Sequence, residues 1–491
     1  MTGIFKRLFS SKSKKQQSKN KKQTVNGNSG NNYTDNAQIL NRDAHCVSRN
    51  KISRNALKVL YRLNDAGYQA YLVGGGVRDI LLGLQPKDFD VATDATPEEI
   101  YDLFRNCRLI GRRFRLAHIL FGREVIEVAT FRAGHEGATG QDISQTSNHK
   151  GKNDHARTSD HGMLVRDNVY GTMLDDAFRR DFTVNALYYT VKNFSVIDYT
   201  NGLQDLAERK LRLIGDPDAR YREDPVRILR AIRLSSKLNL TIEAKTAAPI
   251  KELAALLTHV SSARLWDECN KMLLAGHAQD TWNSLCKRNV ANYLFEQTVS
   301  SLNHQTGTDE TSNIDSSEFN AFIQAALQST DKRIANQQPV TPAFLFAVFL
   351  WKPLQDLTQI LINKGMPAYE ANQKAASTVM DKQRQAIGIP KRFSAIAKEM
   401  WSLQFRLNNQ RKKSVNSLIG HPRFRAAYDF LCLRAGSDPC LQILAKWWTD
   451  YQEASPEIRN EMLSQIDHPK RKKRRNFKKK YPAQSKNQNQ A

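Results

Sequence analysis

Two aspartates one residue apart, Asp88 and Asp90 in the stretch KDFDVAT, are the side chains of this 491-residue sequence whose types and spacing first suggest chemistry. In an extended strand residues i and i+2 share a face, so both carboxylates point one way while Phe89 faces the opposite layer. Neighbouring carboxylates repel, and their joint ionisation is best explained by divalent cations that bind hard oxygen ligands, with magnesium the natural candidate. A third acid, Glu127, lies in the β-rich run EVIEVATF, on one face with Val125 and Ala129, where it is an odd charge among apolar neighbours. Three carboxylates on one sheet face can hold two metals, one activating an attacking hydroxyl and one stabilising a leaving phosphate. Glu124, next to the turn, is expected in solvent.

Just upstream, Gly74, Gly75 and Gly76 lead into a helix, a turn that lets the backbone and its free N–H groups approach a phosphate. Arg78 adds a bidentate fork for the same anion. No Gly-Lys-Ser/Thr follows, so this is not a Walker loop. A glycine run before a helix is ordinarily a tight turn, and a lone Asp-x-Asp is ordinarily surface decoration. Their appearance together within seventeen positions, in the order strand, turn, helix, strand, is far more specific.

The elements that must position these residues are legible from pattern. Residues 56–66 read as a helix stopped by Gly67, 69–73 as an apolar strand, 77–82 as a short helix closed by Gly83, and 89–93 as a strand. Thr96, Pro97 and Glu99 supply an N-cap, a first-turn proline and a capping box for a helix to about residue 104. RLAHILF and EVIEVATF, separated by Gly122 and Arg123, form a hairpin. From residue 175 to about 454 helical periodicity dominates, apart from the hairpin-like VIDYTNGLQDLAERKLRLIG. Polar runs beginning at Gly134 and Asn303 read as long loops, and the histidines of the first lack ligand spacing. The fold class is α+β: an α/β head with a small mixed sheet, then a mostly helical neck and body.

The net charge of +25 is concentrated at the ends. Residues 1–34 carry eight Lys/Arg and no acid, residues 469–491 carry ten and no acid, and the remainder has 56 basic against 49 acidic residues. Both ends are low-complexity and too polar to bury a core, so disordered basic tails are expected. Ile4, Phe5, Leu8 and Phe9 among basic residues suit weak contact with an anionic membrane surface, although the composition that follows favours a plain disordered arm. No apolar run is long enough for a membrane span or a secretory signal. The six cysteines, at 46, 107, 269, 286, 432 and 440, form no CxxC pair or disulfide framework, which fits a reducing cytoplasm.

The stretch GGGVRDILLG…KDFDVAT resembles the head-domain signature of the class II nucleotidyltransferases, the family of bacterial poly(A) polymerases and CCA-adding enzymes. RRDFTVNALYY, residues 179–189, is similar to that family's ribose- and nucleotide-contacting motif, DYTNGLQDLAERKLRLIG to its connecting segment, and YREDPVRILRAIRL, residues 221–234, to its base-recognition helix. With PAFLFAVFLW, IPKRF and HPRFRAAYDFLCLRA the resemblance spans roughly residues 50–450. It implies that Asp88 and Asp90 bind two Mg2+ ions, for which Mn2+ can substitute, with Glu127 as a third catalytic acid. It further implies that Gly74, Gly75 and Arg78 contact the triphosphate, that Arg180, Asp181 and Asn185 shape the nucleotide site, and that Asp224 and Arg227 face the base edge. An acceptor and a donor fork a turn apart on a helix can read a base. Without the resemblance, Arg180–Asp181 would read as charge at a helix N-terminus and Asp224–Arg227 as a surface pair.

LIGRRFRLAHI, residues 109–119, and the long basic C-terminal region resemble the poly(A) polymerases rather than the CCA-adding enzymes. The implied reaction is template-independent addition of AMP from ATP to RNA 3′ ends with release of pyrophosphate, with RNA-decay proteins as candidate partners. A CCA-adding enzyme and a non-catalytic RNA-binding factor are the alternatives, the latter disfavoured because a binder has no need of an acidic cluster beside RNA. The expected organisation is a basic arm over 1–45, a catalytic head over 46–200, a nucleotide- and RNA-binding neck over 201–280, an RNA-binding body over 281–467 and a basic tail over 468–491.

Overall fold

The computed structural model describes residues 37–111, 115–133, 157–158, 164–166, 169–303, 316–408, 412–436 and 438–465. The two basic ends, most of both long polar runs and the centre of LIGRRFRLAHI lie outside the described residues.

The head is built on an eight-stranded mixed sheet. Its strands are β1 (Gln38–Leu40), β2 (Ala70–Val73), β3 (Asp90–Thr93), β4 (Cys107–Ile110), β5 (Leu116–Phe121), β6 (Glu124–Thr130), β9 (Leu187–Tyr189) and β10 (Val196–Asp198), with a separate ribbon of β7 (Arg157–Thr158) and β8 (Leu164–Arg166). Their order is β1-β10-β9-β2-β3-β6-β5-β4, antiparallel except for the parallel pair β3–β6. The β5–β6 hairpin turns at Gly122 and Arg123, as its sequence requires.

Local chemistry sets the helix ends. Ser53 caps helix Arg54–Asp65, and Gly67, at φ +94°, follows its end. Thr96 and Glu99 form a reciprocal capping box on helix Pro97–Leu103, and Thr172 and Asp175 form another on Met173–Arg179. Helix Gly75–Leu81 starts two residues earlier than the pattern suggests, because Gly74 takes φ +71° and turns the chain directly out of β2.

Residues 37–45, assigned from composition to the disordered arm, belong to the head. Gln38–Leu40 adds an edge strand against β10, and Arg42–Ala44 makes one 3-10 turn. Composition missed this because the ladder uses backbone groups, to which a polar strand contributes as well as an apolar one.

The chain divides into two compact units at Ser394/Ala395, and the expected neck and the first part of the expected body fall in the same unit. Aromatic packing explains why the neck continues into the body: Trp266 stacks on Phe346 with centroids 5.4 Å apart, and Trp282 on Phe349 at 4.7 Å. These rings tie helices Ser262–Leu273 and Ala278–Lys287 to Pro342–Phe349. The second unit has its own core of Leu403, Leu407, Leu418, Phe424, Leu431 and Trp448, with the Trp448 indole N–H donating to the Leu407 carbonyl at 3.1 Å. Among the described residues no single helix is long and apolar enough to cross a membrane.

Candidate active site

Asp90 opens β3, and the parallel register places Glu127 of β6 directly beside it. The strand begins at Asp90, so Asp88 lies in the segment before it and not within it. Alternation still holds, since Asp88 is exposed, Phe89 buried and Asp90 half-buried. Burial pushes the Asp90 carboxyl up, Glu127 and Asp88 raise it further, and Arg180 and Arg78 oppose them, giving a pKa of about 6. Asp90 therefore feels both of the other acids. Glu127 is not enclosed by apolar side chains, however: Val125 is exposed and Ala129 half-buried, so this is the open face, while Ile126, Val128 and Thr130 pack inward. Glu124, expected in solvent, accepts a hydrogen bond from Asn55 Nδ2 at 2.6 Å.

The glycine turn faces Asp90. A Cβ at Gly74 would meet Arg180 Nη1 at 3.6 Å, the Asn185 carbonyl oxygen at 3.8 Å and Asp90 Oδ2 at 3.9 Å, and one at Gly75 would meet Arg78 Nη2 at 3.4 Å. Gly74, Gly75, Arg78, Arg180, Asn185 and Asp90 thus converge.

Arg78 is buried and largely committed within the protein. Its Nε and Nη2 donate to Asp79 Oδ1 at 2.8 and 2.6 Å, and Nη1 donates to Asn185 Oδ1 at 2.5 Å. Two of its five N–H donors remain for an anion, so the free bidentate fork expected from sequence is reduced. Asn185 Nδ2 donates to Asp181 Oδ1 at 3.1 Å, and Asp181 Oδ2 receives Arg230 Nε at 2.7 Å. A continuous chain, Asp79–Arg78–Asn185–Asp181–Arg230, joins the glycine turn to helix Val226–Leu238. Burial would raise the Asp181 carboxyl, but Arg230, Asn185 and the Phe182 amide together hold it down to about 2.

Arg180 follows helix Met173–Arg179 as its C-cap, which excludes an N-terminal helix charge. Its Nε and Nη2 donate to Asp176 Oδ2 at 3.1 and 2.8 Å, and Nε also to the Tyr188 hydroxyl at 3.1 Å. Although burial pulls its pKa down, Asp176 and Tyr188 more than offset this and the guanidinium stays charged.

An open cleft of about 390 Å³ extends from Arg180 and Asp181 to Asp224, Arg227, Arg230 and Arg264. Asp224 and Arg227 are both in it but do not share one helix: the Arg227 backbone N–H donates to the Asp224 carbonyl at 3.0 Å, while their side chains bond other residues. Asp224 is the C-cap of helix Pro217–Glu223 and accepts from Arg264 Nη2 at 3.1 and 3.0 Å. Arg227 donates to Glu223 Oε2 at 2.7 Å and to the Arg220 carbonyl at 2.8 Å. With only 12% of its side chain exposed, Arg227 is not part of a surface pair. Sequence reasoning gave no role to Asp79, the partner in the Arg-Asp pair after the glycines, nor to Asp176, Arg230 or Arg264. Asp79, directly after Arg78, and Arg230, one turn after Arg227 in RILRAIR, carried a signal; Arg264 is forty residues from Asp224 and had none.

The connecting segment fixes this junction. Asp198 accepts backbone N–H bonds from Thr200, Gly202 and Leu203, and a Cβ at Gly202 would lie 2.2 Å from the Thr183 carbonyl oxygen, so only glycine fits.

Comparison with known proteins shows which family the chain belongs to. The Poly A polymerase head domain family matches residues 70–212, the probable RNA and SrmB-binding site of polymerase A residues 239–302, and the polymerase A arginine-rich C-terminus residues 364–480. Poly(A) polymerase I of Salmonella typhimurium is 47% identical over 440 residues, covering 89% of this chain and 90% of its own length. That of Haemophilus influenzae is 45% identical over 433 residues, covering 87% and 91%. A CCA-adding enzyme of Lactobacillus helveticus is 36% identical over 227 residues, covering 46% of this chain and 51% of its own. In fold, the solved CCA-adding enzyme apo form II aligns at a TM-score of 0.55 and 17% identity, covering 89% of this chain and 97% of that one. With head, neck and arginine-rich region matched in order, the chain belongs to the bacterial poly(A) polymerases, polynucleotide adenylyltransferases of the nucleotidyltransferase family.

Proposed function

We propose that the site transfers AMP from ATP to RNA 3′ ends through Asp88, Asp90 and Glu127, with Mg2+ held by Asp88 and Asp90. The observation that carries this reading is Asp90: a half-buried carboxylate beside Glu127 and Asp88, raised to about 6, and facing the Gly74 turn and Arg180. A cation relieves that repulsion. Among the described residues no three His, Cys, Asp or Glu side chains form a ready-made metal cage. Mg2+ is commonly held by one or two carboxylates and completed by substrate phosphates and water, and Asp88 and Asp90 offer two. When bound, the metal lowers the pKa of the attacking 3′-hydroxyl and neutralises charge on the triphosphate. In the balanced reaction the RNA 3′-oxygen bonds to the α-phosphorus of ATP, the bond to the β-phosphate oxygen breaks, pyrophosphate leaves, and the hydroxyl proton passes to solvent.

The chain's own residues chiefly position the reactants. Gly74 and Gly75 leave space for the triphosphate, and Arg78 offers its two remaining N–H groups. Arg180, Asp181 and Asn185 shape the cleft, while Asp224 and Arg227, held by Arg264 and Glu223, face the base. RNA and ATP are the substrates, RNA turnover is the consequence, and RNA-decay proteins are partners. The six free cysteines fit a reducing cytoplasm.

Incubation with an unstructured RNA, Mg2+ and each nucleotide separately tests the reading. Tails grow with ATP alone if it holds. Terminal CCA addition to tRNA would instead favour the CCA reading, and no incorporation a non-catalytic RNA-binding factor.

A further inference from the structure

Four polar residues form one transverse row across the sheet. Asp90 of β3 pairs with Glu127 of β6, Glu127 with His118 of β5, and His118 with Arg108 of β4. Directly paired residues share a face, so the row runs acid, acid, imidazole, guanidinium across the open side of the head. His118 Nε2 lies 3.5 Å from Glu127 Oε1. That nitrogen is buried and makes no full hydrogen bond with any described residue, although the ring as a whole is 21% exposed. A buried polar atom left without a partner is costly, and Glu127 is the acceptor it faces. The Glu127 side chain is 50% exposed and would otherwise sample several rotamers.

We propose that His118 is the positioning residue for Glu127, its Nε2–H holding the carboxylate against Asp90. The proposal rests on the reading of Glu127 as a catalytic acid. At roughly 4.8 Å per strand, His118 sits about 10 Å from Asp90 along the row, too far to share an ion with it, so it acts through Glu127. The contact is long for a hydrogen bond, as catalytic contacts commonly are before substrate tightens them. The role resembles that of the outer residues that orient metal ligands, whose loss lowers activity or metal affinity roughly 10- to 100-fold. It also gives RLAHILF a task beyond building the hairpin.

The test compares His118→Leu, His118→Gln, Glu127→Gln and the double variant His118→Leu/Glu127→Gln in the full chain. His118→Leu lowers kcat about tenfold with little change in KM for ATP, and raises the Mg2+ concentration needed for half-maximal rate. His118→Gln, whose amide nitrogen reaches the place of Nε2, recovers most of the loss. The double variant is no slower than Glu127→Gln alone. Without activity as the readout, His118→Leu keeps the metal-free Tm but shows a smaller rise on Mg2+ addition than the wild-type chain. Additive losses in the double variant, or wild-type kcat and Mg2+-dependent Tm in His118→Leu, overturn the proposal while Glu127→Gln remains impaired. Full turnover by Glu127→Gln removes the catalytic role of Glu127, and the proposal with it.

Discussion

Arg230 clamps Asp181 from a helix that starts 45 residues later, with Nε 2.7 Å and Nη2 2.5 Å from Oδ2. Two N–H groups on one carboxylate oxygen, with Asn185 on the other, hold Asp181 in one orientation. Such a group works as a strut, and its energetics can be measured separately from catalysis.

Asp181→Asn therefore destabilises the protein at pH 7 by roughly 2–3 kcal/mol. Breaking a buried pair costs about 3–5 kcal/mol, discounted here because Arg230 stays 37% exposed. The carboxyl is held down to about 2 in the folded state, so its contribution is present above the ordinary carboxylate range and is lost as pH falls from about 4 towards 2. Urea midpoints from pH 2.5 to 7 check this: wild-type and variant curves converge at the acid end, whereas parallel curves would show that Asp181 gains nothing from its partners.

Asp90 has the opposite sign. Its folded pKa is raised to about 6, so between about pH 4 and 6 the folded state keeps a proton that the unfolded state releases, and stability falls as pH rises through that window. In metal-free protein at pH 8, Asp90→Asn is more stable than wild type by on the order of 2 kcal/mol. AMP addition is abolished. Mg2+ raises the wild-type Tm and leaves the variant unchanged; near-wild-type turnover by Asp90→Asn or Asp88→Ala would end the metal assignment.

The head was largely legible in the sequence because its signals are local. Thr96, Pro97 and Glu99 specify a helix start by side-chain hydrogen bonds three residues apart, and Gly122–Arg123 specifies a hairpin by backbone conformation. The common face of Asp88 and Asp90 was legible because an i, i+2 spacing in extended chain fixes it, whichever residue opens the strand. The partners of those residues were not legible. Asp224 is held by Arg264 and Arg78 by Asn185, pairs separated by 40 and 107 positions, and nothing in either local pattern announces the other. For the same reason Asp224–Arg227 looked like one recognition pair when each residue has its own tether. The edge strand Gln38–Leu40 escaped because a backbone ladder leaves no mark on composition.

Those tethers make the proposed base-facing role of Asp224 and Arg227 testable at two removes. Arg227→Ala lowers kcat/KM for ATP roughly 10- to 100-fold, as expected for loss of a charge-assisted hydrogen bond, and narrows the preference for ATP over CTP. Arg264→Ala, which frees Asp224 without removing it, gives a smaller loss seen mainly in KM for ATP. Unchanged ATP and CTP kinetics in both variants would mean that these residues only hold the neck together.

Residues 469–491 carry ten Lys/Arg and no acid, a composition that suits contact with RNA phosphates. If the segment meets RNA through phosphates, deleting it raises KM for RNA far more than it lowers kcat, because Asp88 and Asp90 are untouched. Counterion release makes affinity for a single strand fall by roughly 0.7 log unit per log of salt for each phosphate neutralised. The truncated chain therefore shows a shallower salt dependence, and the two proteins approach one another as salt rises. Equal slopes on a long unstructured RNA would remove this segment from RNA capture and leave its charge to serve solubility or a membrane surface.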